Sequence, residues 1–391
     1  MPDCGGPLLA MPPPISVLCV AEKPSLAGSI AQHLSDGSCV ERKATQSVHE
    51  FSGRFKNQPA HFKVTSVIGH VYTTDFAEAY QSWELDPARL FDAPTVRMES
   101  NPRARICEHL RQEARSCHYL VLWLDCDREG ENICFEVMDS CARQLQRPPS
   151  GSPNQQQIYR ARFSAITAEA IKAAMRVDRL VAPNANEAAA VDARQELDLK
   201  VGVAFTRFQT RYFGGRYRER MRVVSYGPCQ TPTLGFCVAR HTEICEFKPE
   251  DYWALRCSVG QPGSSAAPGG GLSVAWARKR LFERSAATTY CELVRAGGAL
   301  RLAAVHKSEG RRVRPLCLNT VEMLKIASKG LGIGPHQAMK LAERLYTSGY
   351  LSYPRTESSK HPPGSDLRCA AILPARVARI GHARIIYVGK V

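Results

Sequence analysis

The sequence predicts a multidomain α/β protein: a mainly parallel sheet flanked by helices, then helical and small β-rich pieces. Residues 15–21 (ISVLCVA) and Tyr119 to Leu124 (YLVLWL) are short apolar runs rich in β-formers, the pattern of strands buried on both faces. Each stops abruptly at charge, Glu22-Lys23-Pro24-Ser25 in one case and Asp125-Cys126-Asp127-Arg128-Glu129 in the other, and a helical pattern follows each. With 44% apolar and 23% charged residues over 391 positions, the chain can bury two to four domain cores, which excludes wholesale disorder.

In chain order, Ser25 is the expected N-cap of a helix over Leu26 to Leu34. Hairpin-like pieces follow at His49 to Phe55 and His61 to Ile68, then a helix from Pro102 to Arg115. A third strand, Ile158 to Phe163, is reached through PPSGSPNQQQ (Pro148 to Gln157), a loop inside the first domain. Loops at the carboxyl ends of parallel strands gather polar residues, and both charged clusters sit at such ends. Thr167 to Phe213 reads as helix, with an apolar stripe at Val191, Leu197, Val201, Phe205 and Phe208 flanked by Arg194, Lys200, Arg207 and Arg211. Gly260 to Leu272 is a low-complexity insertion between β-type segments at Tyr252 to Val259 and Leu272 to Ala277. Thr320 to Ser328 and Pro335 to Ser348 form a helix pair around Leu331-Gly332-Ile333-Gly334, the second helix carrying Ala338, Leu341, Ala342 and Leu345 on one face.

Lysine plus arginine exceeds aspartate plus glutamate by 52 − 37 = 15. That excess favours a polyanionic partner, nucleic acid ahead of an acidic membrane surface. No apolar run approaches the roughly eighteen residues of a spanning helix, and MPDCGGPLLAMPPP lacks the basic segment of a secretory signal. The fifteen cysteines include no Cys-x-x-Cys pair and several lie in apolar runs, so reduced, buried thiols are expected rather than zinc sites or disulfides.

Asp125-x-Asp127-x-Glu129 is the strongest local signal of chemistry. Three carboxylates crowded at a strand end repel one another unless a cation neutralises them, and oxygen-only donors suit Mg²⁺ better than zinc. The other reading is a solvated acidic turn favoured by the helix dipole. Glu22, at the end of the first strand, is placed to join the same crevice as a fourth acid. Tyr353, in Leu351-Ser352-Tyr353-Pro354-Arg355-Thr356-Glu357, offers a hydroxyl able to attack phosphorus reversibly, and Arg355 can brace a phosphate. No Gly-x-x-x-x-Gly-Lys-[Ser/Thr] loop occurs, and Gly330-x-Gly332-x-Gly334 is a helix connector.

Five segments stand in order: AEKPS (Ala21 to Ser25), LDCDREGEN (Leu124 to Asn132), VDARQELDLKVGVAFTRFQT (Val191 to Thr210), SYGPCQTPTLGF (Ser225 to Phe236) and YLSYPRTES (Tyr350 to Ser358). Together they resemble the type IA DNA topoisomerases, in the topoisomerase III branch and its beta group, over about Ile15 to Glu357. The resemblance implies a Rossmann-like Toprim domain followed by helical, small β and winged-helix-like pieces of a toroidal arch. It implies Tyr353 as nucleophile forming a 5′-phosphotyrosine, Glu22 as general acid and base, and Lys23 and Arg355 as cations stabilising the phosphate. It further implies Mg²⁺ held by Asp125, Asp127 and Glu129 with Glu22, and strand contacts from Arg194, Arg207, Gln230 and Thr231. The implied activity is ATP-independent relaxation of negatively supercoiled DNA by passage through one cleaved strand. Implied partners are single-stranded DNA, RNA as a second substrate, and a Tudor-domain protein, with no membrane. The implied location is the nucleus, with the cytoplasm as a second compartment.

The expected division is an extension at 1–14, expected to be disordered; a Toprim domain at 15–166; a helical strand-binding segment at 167–240; a β-rich arch segment at 241–314 with a flexible loop at 260–272; a tyrosine-bearing helix pair at 315–360; and a tail at 361–391. The tail departs from the family pattern, which continues with a histidine-containing motif and the returning arch, so a truncated or mis-spliced product with an incomplete arch is expected. Apolar faces near Val201 to Phe213 and in the β segment are then expected to stand exposed. Two other functions compete: a catalytically incomplete form that only grips single strands, and a Toprim-type nuclease or primase-like catalyst that uses the acids without the tyrosine.

Overall fold

The computed structural model describes residues 14–149, 155–216, 223–259, 272–298, 300–311 and 316–360. Residues 1–13, the inserted loop at 260–271, and the tail at 361–391 lie outside the described residues, as do 150–154 of the Pro148 to Gln157 loop. The chain divides into two compact units, Met1–Pro228 with Pro315–Val391, and Cys229–Arg314.

The first unit is built on β1 (Ile15–Ala21), α1 (Pro24–Leu34), β2 (Val40–Arg42), β3 (Val48–Phe55), β4 (Gln58–Ser66), the β5–β6 ribbon (Tyr72–Phe76, Thr95–Glu99), α2 (Ile106–Ala114), β7 (Tyr119–Trp123), α3 (Arg128–Cys141) and β8 (Ile158–Arg160). Six strands form one sheet in the order β2-β3-β4-β1-β7-β8, in which β4, β1, β7 and β8 are parallel and β2 and β3 form an antiparallel edge. The expected mainly parallel sheet is present, and the two hairpin-like pieces are its β3–β4 arm. β1 is central because it is apolar on both faces. Val17, Cys19 and Ala21 pack with Leu26, Ala27 and Ile30 of α1, while Leu18 and Val20 pack with Ile106 and Leu110 of α2 and Ile133 and Val137 of α3. Each such aliphatic side chain stabilises the fold by about 1.5–3 kcal/mol when fully buried. In register, Ala21 lies beside Trp123 of β7 and Ser66 of β4, so the residues after β1 and β7 emerge together at one edge.

The first helix starts earlier than the sequence suggests. Pro24, not Leu26, is its first residue and Lys23 takes the N-cap position in extended conformation, because proline at N1 lacks only a hydrogen that would be orphaned anyway. After α4 (Ala168–Ala174), α5 (Ala185–Arg216) runs for 32 residues. Its buried face is Ala188, Val191, Ala204 and Arg207, whereas Leu197 (60% exposed), Phe205 and Phe208 (55% exposed) of the expected stripe face outward. The expectation of exposed apolar surface along Val201 to Phe213 therefore matches at Phe205, Phe208, Tyr212 and Phe213.

The second unit holds α6 (Gln230–Cys245), the antiparallel pair β9 (Arg256–Val259) and β10 (Leu272–Ala275), and α7 (Arg284–Ala296). The boundary expected at residue 240 falls inside α6. No residue of α6 is buried, and Leu234, Phe236, Val238 and Ile244 all stand exposed.

The helix pair α8 (Thr320–Leu331) and α9 (Pro335–Thr347) returns to the first unit. Gly332, at φ 67°, ends α8 in the left-handed conformation that glycine adopts without cost. The buried face of α9 is Ala338, Ala342 and Tyr346; Leu341 and Leu345 of the expected stripe are exposed. Beyond α9, Gly349 lies at φ 76°, and a Cβ there would sit 2.8 Å from the Ile166 carbonyl. This close approach brings the following segment onto the first unit, where the Tyr353 N–H donates to the Ser164 carbonyl at 2.9 Å. Among the described residues no helix is long and apolar enough to cross a membrane, and Cys19, Cys134 and Cys141 are free thiols. Burial pushes the Cys19, Cys134 and Cys141 thiols up to about 12, so they are inert, whereas Cys229, Cys237 and Cys245 are exposed, against the expectation of buried thiols.

Candidate active site

The site forms where β1 and β7 end side by side. The Asp125 N–H donates to Glu22 Oε2 at 3.0 Å, joining the two strand ends directly. Asp127 caps α3, its Oδ1 accepting from the Gly130 N–H at 2.8 Å. A Cβ on Gly130 would lie 1.9 Å from the Asp125 carbonyl oxygen, so only glycine allows this turn. Beneath it, the wholly buried Arg160 of β8 donates to the carbonyls of Asp125 (2.9 Å), Ala161 (2.8 Å) and Leu122 (3.2 Å) and pairs with Glu131 at 3.0 Å. The acidic turn thus rests on a fully satisfied buried guanidinium, the arrangement in which a buried charge is tolerated.

The segment after α9 brings two tyrosines onto these acids. Tyr353, 3% exposed, donates its hydroxyl to the Asp127 carboxylate, and Tyr346 donates to Asp125 Oδ1 at 3.1 Å. Their rings meet edge-on with centroids 5.3 Å apart. Lys23 Nζ lies 3.7 Å from Asp125 Oδ2 and 4.0 Å from Glu22 Oε1, and it donates at 2.8 Å to Glu343 of α9. The other oxygen of Glu343 is 3.5 Å from the Arg355 guanidinium.

This crowding sets the protonation states. Burial, with the negative charge of Asp125 next, pushes the Glu22 carboxyl up to about 7. Glu22 therefore exchanges a proton near neutrality, as a general acid and base requires. Burial pushes the Tyr353 hydroxyl well above the usual phenol value, and the charges of Asp127 and Asp125 push it further. Tyr353 is thus a neutral donor at rest, with Asp127 as the acceptor for its proton. Burial works against the Lys23 charge, but Glu343, Asp125 and Glu22 outweigh it and hold the ammonium protonated.

The residues singled out in sequence fall into groups. Glu22, Lys23, Asp125, Asp127 and Tyr353 converge directly. Arg355 joins them through Glu343 and lines a cavity of about 610 Å³ with Asp127, Arg128 and Glu129. Glu129 turns aside: Arg194 holds one of its oxygens at 2.8 Å and His70 the other at 3.1 Å, while Arg194 also pairs with Asp198 at 2.7 Å. The three acids therefore have different partners, and among the described residues no three His, Cys, Asp or Glu side chains form a ready metal cage. Arg207 does not sit on an open strand-binding face. It is 5% exposed and donates to the carbonyls of Tyr80, Gln81 and Ser82 at 3.1, 3.0 and 2.7 Å, so in this structure it clamps α5 to that turn. Gln230 and Thr231 begin α6 in the second unit. Sequence reasoning passed over Arg160, His70, Glu343 and Tyr346. Two signals were available: an arginine at the end of the strand Ile158–Arg160, and a Glu and a Tyr three apart on the helix before Tyr353.

Residues 17–166 match the family described as Toprim domain, and residues 182–376 match the family described as DNA topoisomerase, the latter running into the tail that the motif pattern leaves unassigned. The chain is 54% identical over 354 residues to DNA topoisomerase 3-beta of Arabidopsis thaliana, covering 90% of this chain and 39% of that protein. It is 49% identical over 359 residues to DNA topoisomerase 3-beta-1 of Homo sapiens, covering 90% of this chain and 40% of that protein. To DNA topoisomerase 3-alpha of Homo sapiens it is 38% identical over 352 residues, covering 88% and 34%. The chain thus spans about two-fifths of the length of these 3-beta relatives. With a Toprim sheet, an acidic strand end meeting a tyrosine, and these relatives, the chain belongs to the type IA DNA topoisomerases, in the topoisomerase III-beta group.

Proposed function

We propose that this chain cleaves and rejoins one nucleic-acid strand through Tyr353, and so relaxes negatively supercoiled DNA without ATP. The observation that carries the reading is the hydrogen bond from the Tyr353 hydroxyl to Asp127, which brings a tyrosine from the far end of the chain onto the Toprim acids. In the cleaving step the Tyr353 oxygen bonds to phosphorus and its proton passes to Asp127. The bond from phosphorus to the 3′ oxygen breaks, and Glu22 supplies that oxygen with a proton. Lys23 and Arg355 offset the charge on the phosphate oxygens. Rejoining is the reverse, with Glu22 as base, and the phosphotyrosine conserves the energy of the broken bond.

The donor set fits Mg²⁺. Asp125 and Asp127 offer hard carboxylate oxygens beside Glu22, whose pKa is raised by burial first and by the charge of Asp125 next. Asp125, Asp127 and Glu22 would hold the ion, and Glu129 would add to them only on release from Arg194 and His70. Bound there, Mg²⁺ would neutralise phosphate charge during cleavage and rejoining. The substrate we assign is single-stranded DNA, with RNA as a second strand type, supported by the net charge of +15 and by the relatives. From family membership alone we also assign a nuclear location and a Tudor-domain partner.

The test is denaturing electrophoresis of the full chain after incubation with labelled single-stranded DNA and Mg²⁺. A labelled covalent adduct that Tyr353→Phe abolishes is the expected result. Retention of DNA with no adduct would instead support a form that only grips strands, and free fragments independent of Tyr353 would support a metal-dependent nuclease.

A further inference from the structure

The element that delivers the tyrosine also carries a carboxylate the reaction does not use. Glu343 lies on α9, ten residues before Tyr353, and spans the two cations assigned to the phosphate: Lys23 at 2.8 Å and Arg355 at 3.5 Å. Its side chain is 28% exposed, against 39% for Lys23 and 62% for Arg355. Ion pairs this open to solvent add little to folding stability. Their consequence is occupancy: the two carboxylate oxygens of Glu343 already pair with both cations.

The surroundings of Glu343 are basic. Glu343 and Arg355 line a cavity of about 400 Å³ together with His336, Lys340 and Arg344. These three recur every four residues, so they share one face of α9. The cavity offers basic groups around a single acid, and the acid sits where cavity and catalytic cations meet.

We propose that Glu343 is an internal stand-in for the scissile phosphate, which an incoming strand displaces from Lys23 and Arg355 while its neighbouring phosphates settle along Lys340 and Arg344. The assignment rests on the reading above that Lys23 and Arg355 hold the reacting phosphate. It makes Glu343 a selectivity residue: a ligand must carry negative charge to compete, and a strand without a phosphate at that position leaves the gate closed. It also makes the grip weaker than the cations alone would give, which favours release of the rejoined strand.

The experiment measures binding of a fluorescent oligodeoxythymidylate to the full chain in the Tyr353→Phe background, so that covalent capture does not contribute. Glu343→Gln removes the competing charge and keeps the shape; it is expected to bind about 5-fold more tightly, the worth of one such ion pair. Glu343→Asp should stay close to the parent. Lys340→Gln, at an exposed position, should weaken binding and lower the slope of log affinity against log salt by about 0.7. Unchanged or weaker binding by Glu343→Gln with an unaltered melting temperature overturns the stand-in. If Glu343→Gln melts early, the Lys340→Gln slope decides, and an unchanged slope overturns the proposal. The adduct assay on the unmutated chain is separate: no adduct there sinks the cleavage reading itself, whereas an adduct without the Glu343→Gln gain sinks only this inference.

Discussion

Glu22 Oε2 accepts the backbone N–H of Asp125 at 3.0 Å, tying together two residues 103 apart in sequence at the edge where β1 and β7 end. The bond holds the proposed general acid beside Asp125, where burial first and the Asp125 charge next raise its pKa against the lowering effect of the bond itself.

The pH consequence has a definite sign. Glu22 titrates near 7 in the folded chain against an ordinary value of 4.5, so folding favours its protonated form. The stability it contributes is fully present below about 4.5 and is lost as pH rises through about 7. Glu22→Gln should therefore stabilise the chain at pH 8 by on the order of 1–3 kcal/mol, with the gain gone at pH 4, both read by thermal melting in chelator. A gain that grows toward low pH would contradict the assignment. In single-turnover cleavage of an oligonucleotide, adduct formation by the unmutated chain should decline as pH passes above about 7.

Arg160 should behave as a support for the acidic turn. Arg160→Met leaves Glu131 buried without its cation, and the expected cost is about 3–5 kcal/mol by denaturant unfolding. Adding Glu131→Met should recover part of that loss. A double variant that loses the sum of both singles would show that the pair is not coupled.

Gly130→Ala sets a Cβ against the Asp125 carbonyl at 1.9 Å, a contact only backbone movement can relieve. Adduct formation should fall by roughly 100-fold or more, since displacements near 1 Å at a reacting centre cost that much. Normal cleavage by this variant would mean that the turn geometry is not what positions Asp125 and Asp127.

Arg194 and Arg207 should separate, although both stand on α5. Arg207→Ala removes three hydrogen bonds to carbonyls of the 80–82 turn and should cost about 2 kcal/mol of stability with no change in the salt dependence of strand binding. Arg194→Ala, at a half-exposed position paired with Glu129, should leave stability within about 0.5 kcal/mol and weaken binding. The reverse pattern in melting and titration would refute the burial argument.

What the sequence made legible was whatever depends on local pattern. The runs ISVLCVA and YLVLWL became β1 and β7 because a strand apolar on both faces can only lie between two helical layers, and charge right after each run had to emerge at the sheet edge. Glu22, Asp125, Asp127 and Tyr353 were named because the motifs carry them. The partners of those groups were not legible. His70 and Arg194 draw Glu129 aside from positions 59 and 65 residues away, and no spacing rule links them. Helix faces failed for a related reason: α9 buries Ala338, Ala342 and Tyr346 because a tyrosine whose hydroxyl reaches Asp125 can be buried at no polar cost, while apolarity alone favoured Leu341 and Leu345. On α5 an arginine takes a buried position that a hydrophobic pattern would never assign it.

The most direct test of the account is to locate the covalent link. Tyr346 and Tyr353 sit 5.3 Å apart over the same acids, so the geometry alone offers two hydroxyls. The adduct formed with a single-stranded oligonucleotide should be trapped, digested with protease and nuclease, and sequenced by tandem mass spectrometry. The account predicts a nucleotide joined through its 5′ phosphate to Tyr353, in the peptide containing Leu351-Ser352-Tyr353-Pro354-Arg355. A nucleotide on Tyr346, on any other side chain, or joined through a 3′ phosphate would contradict it.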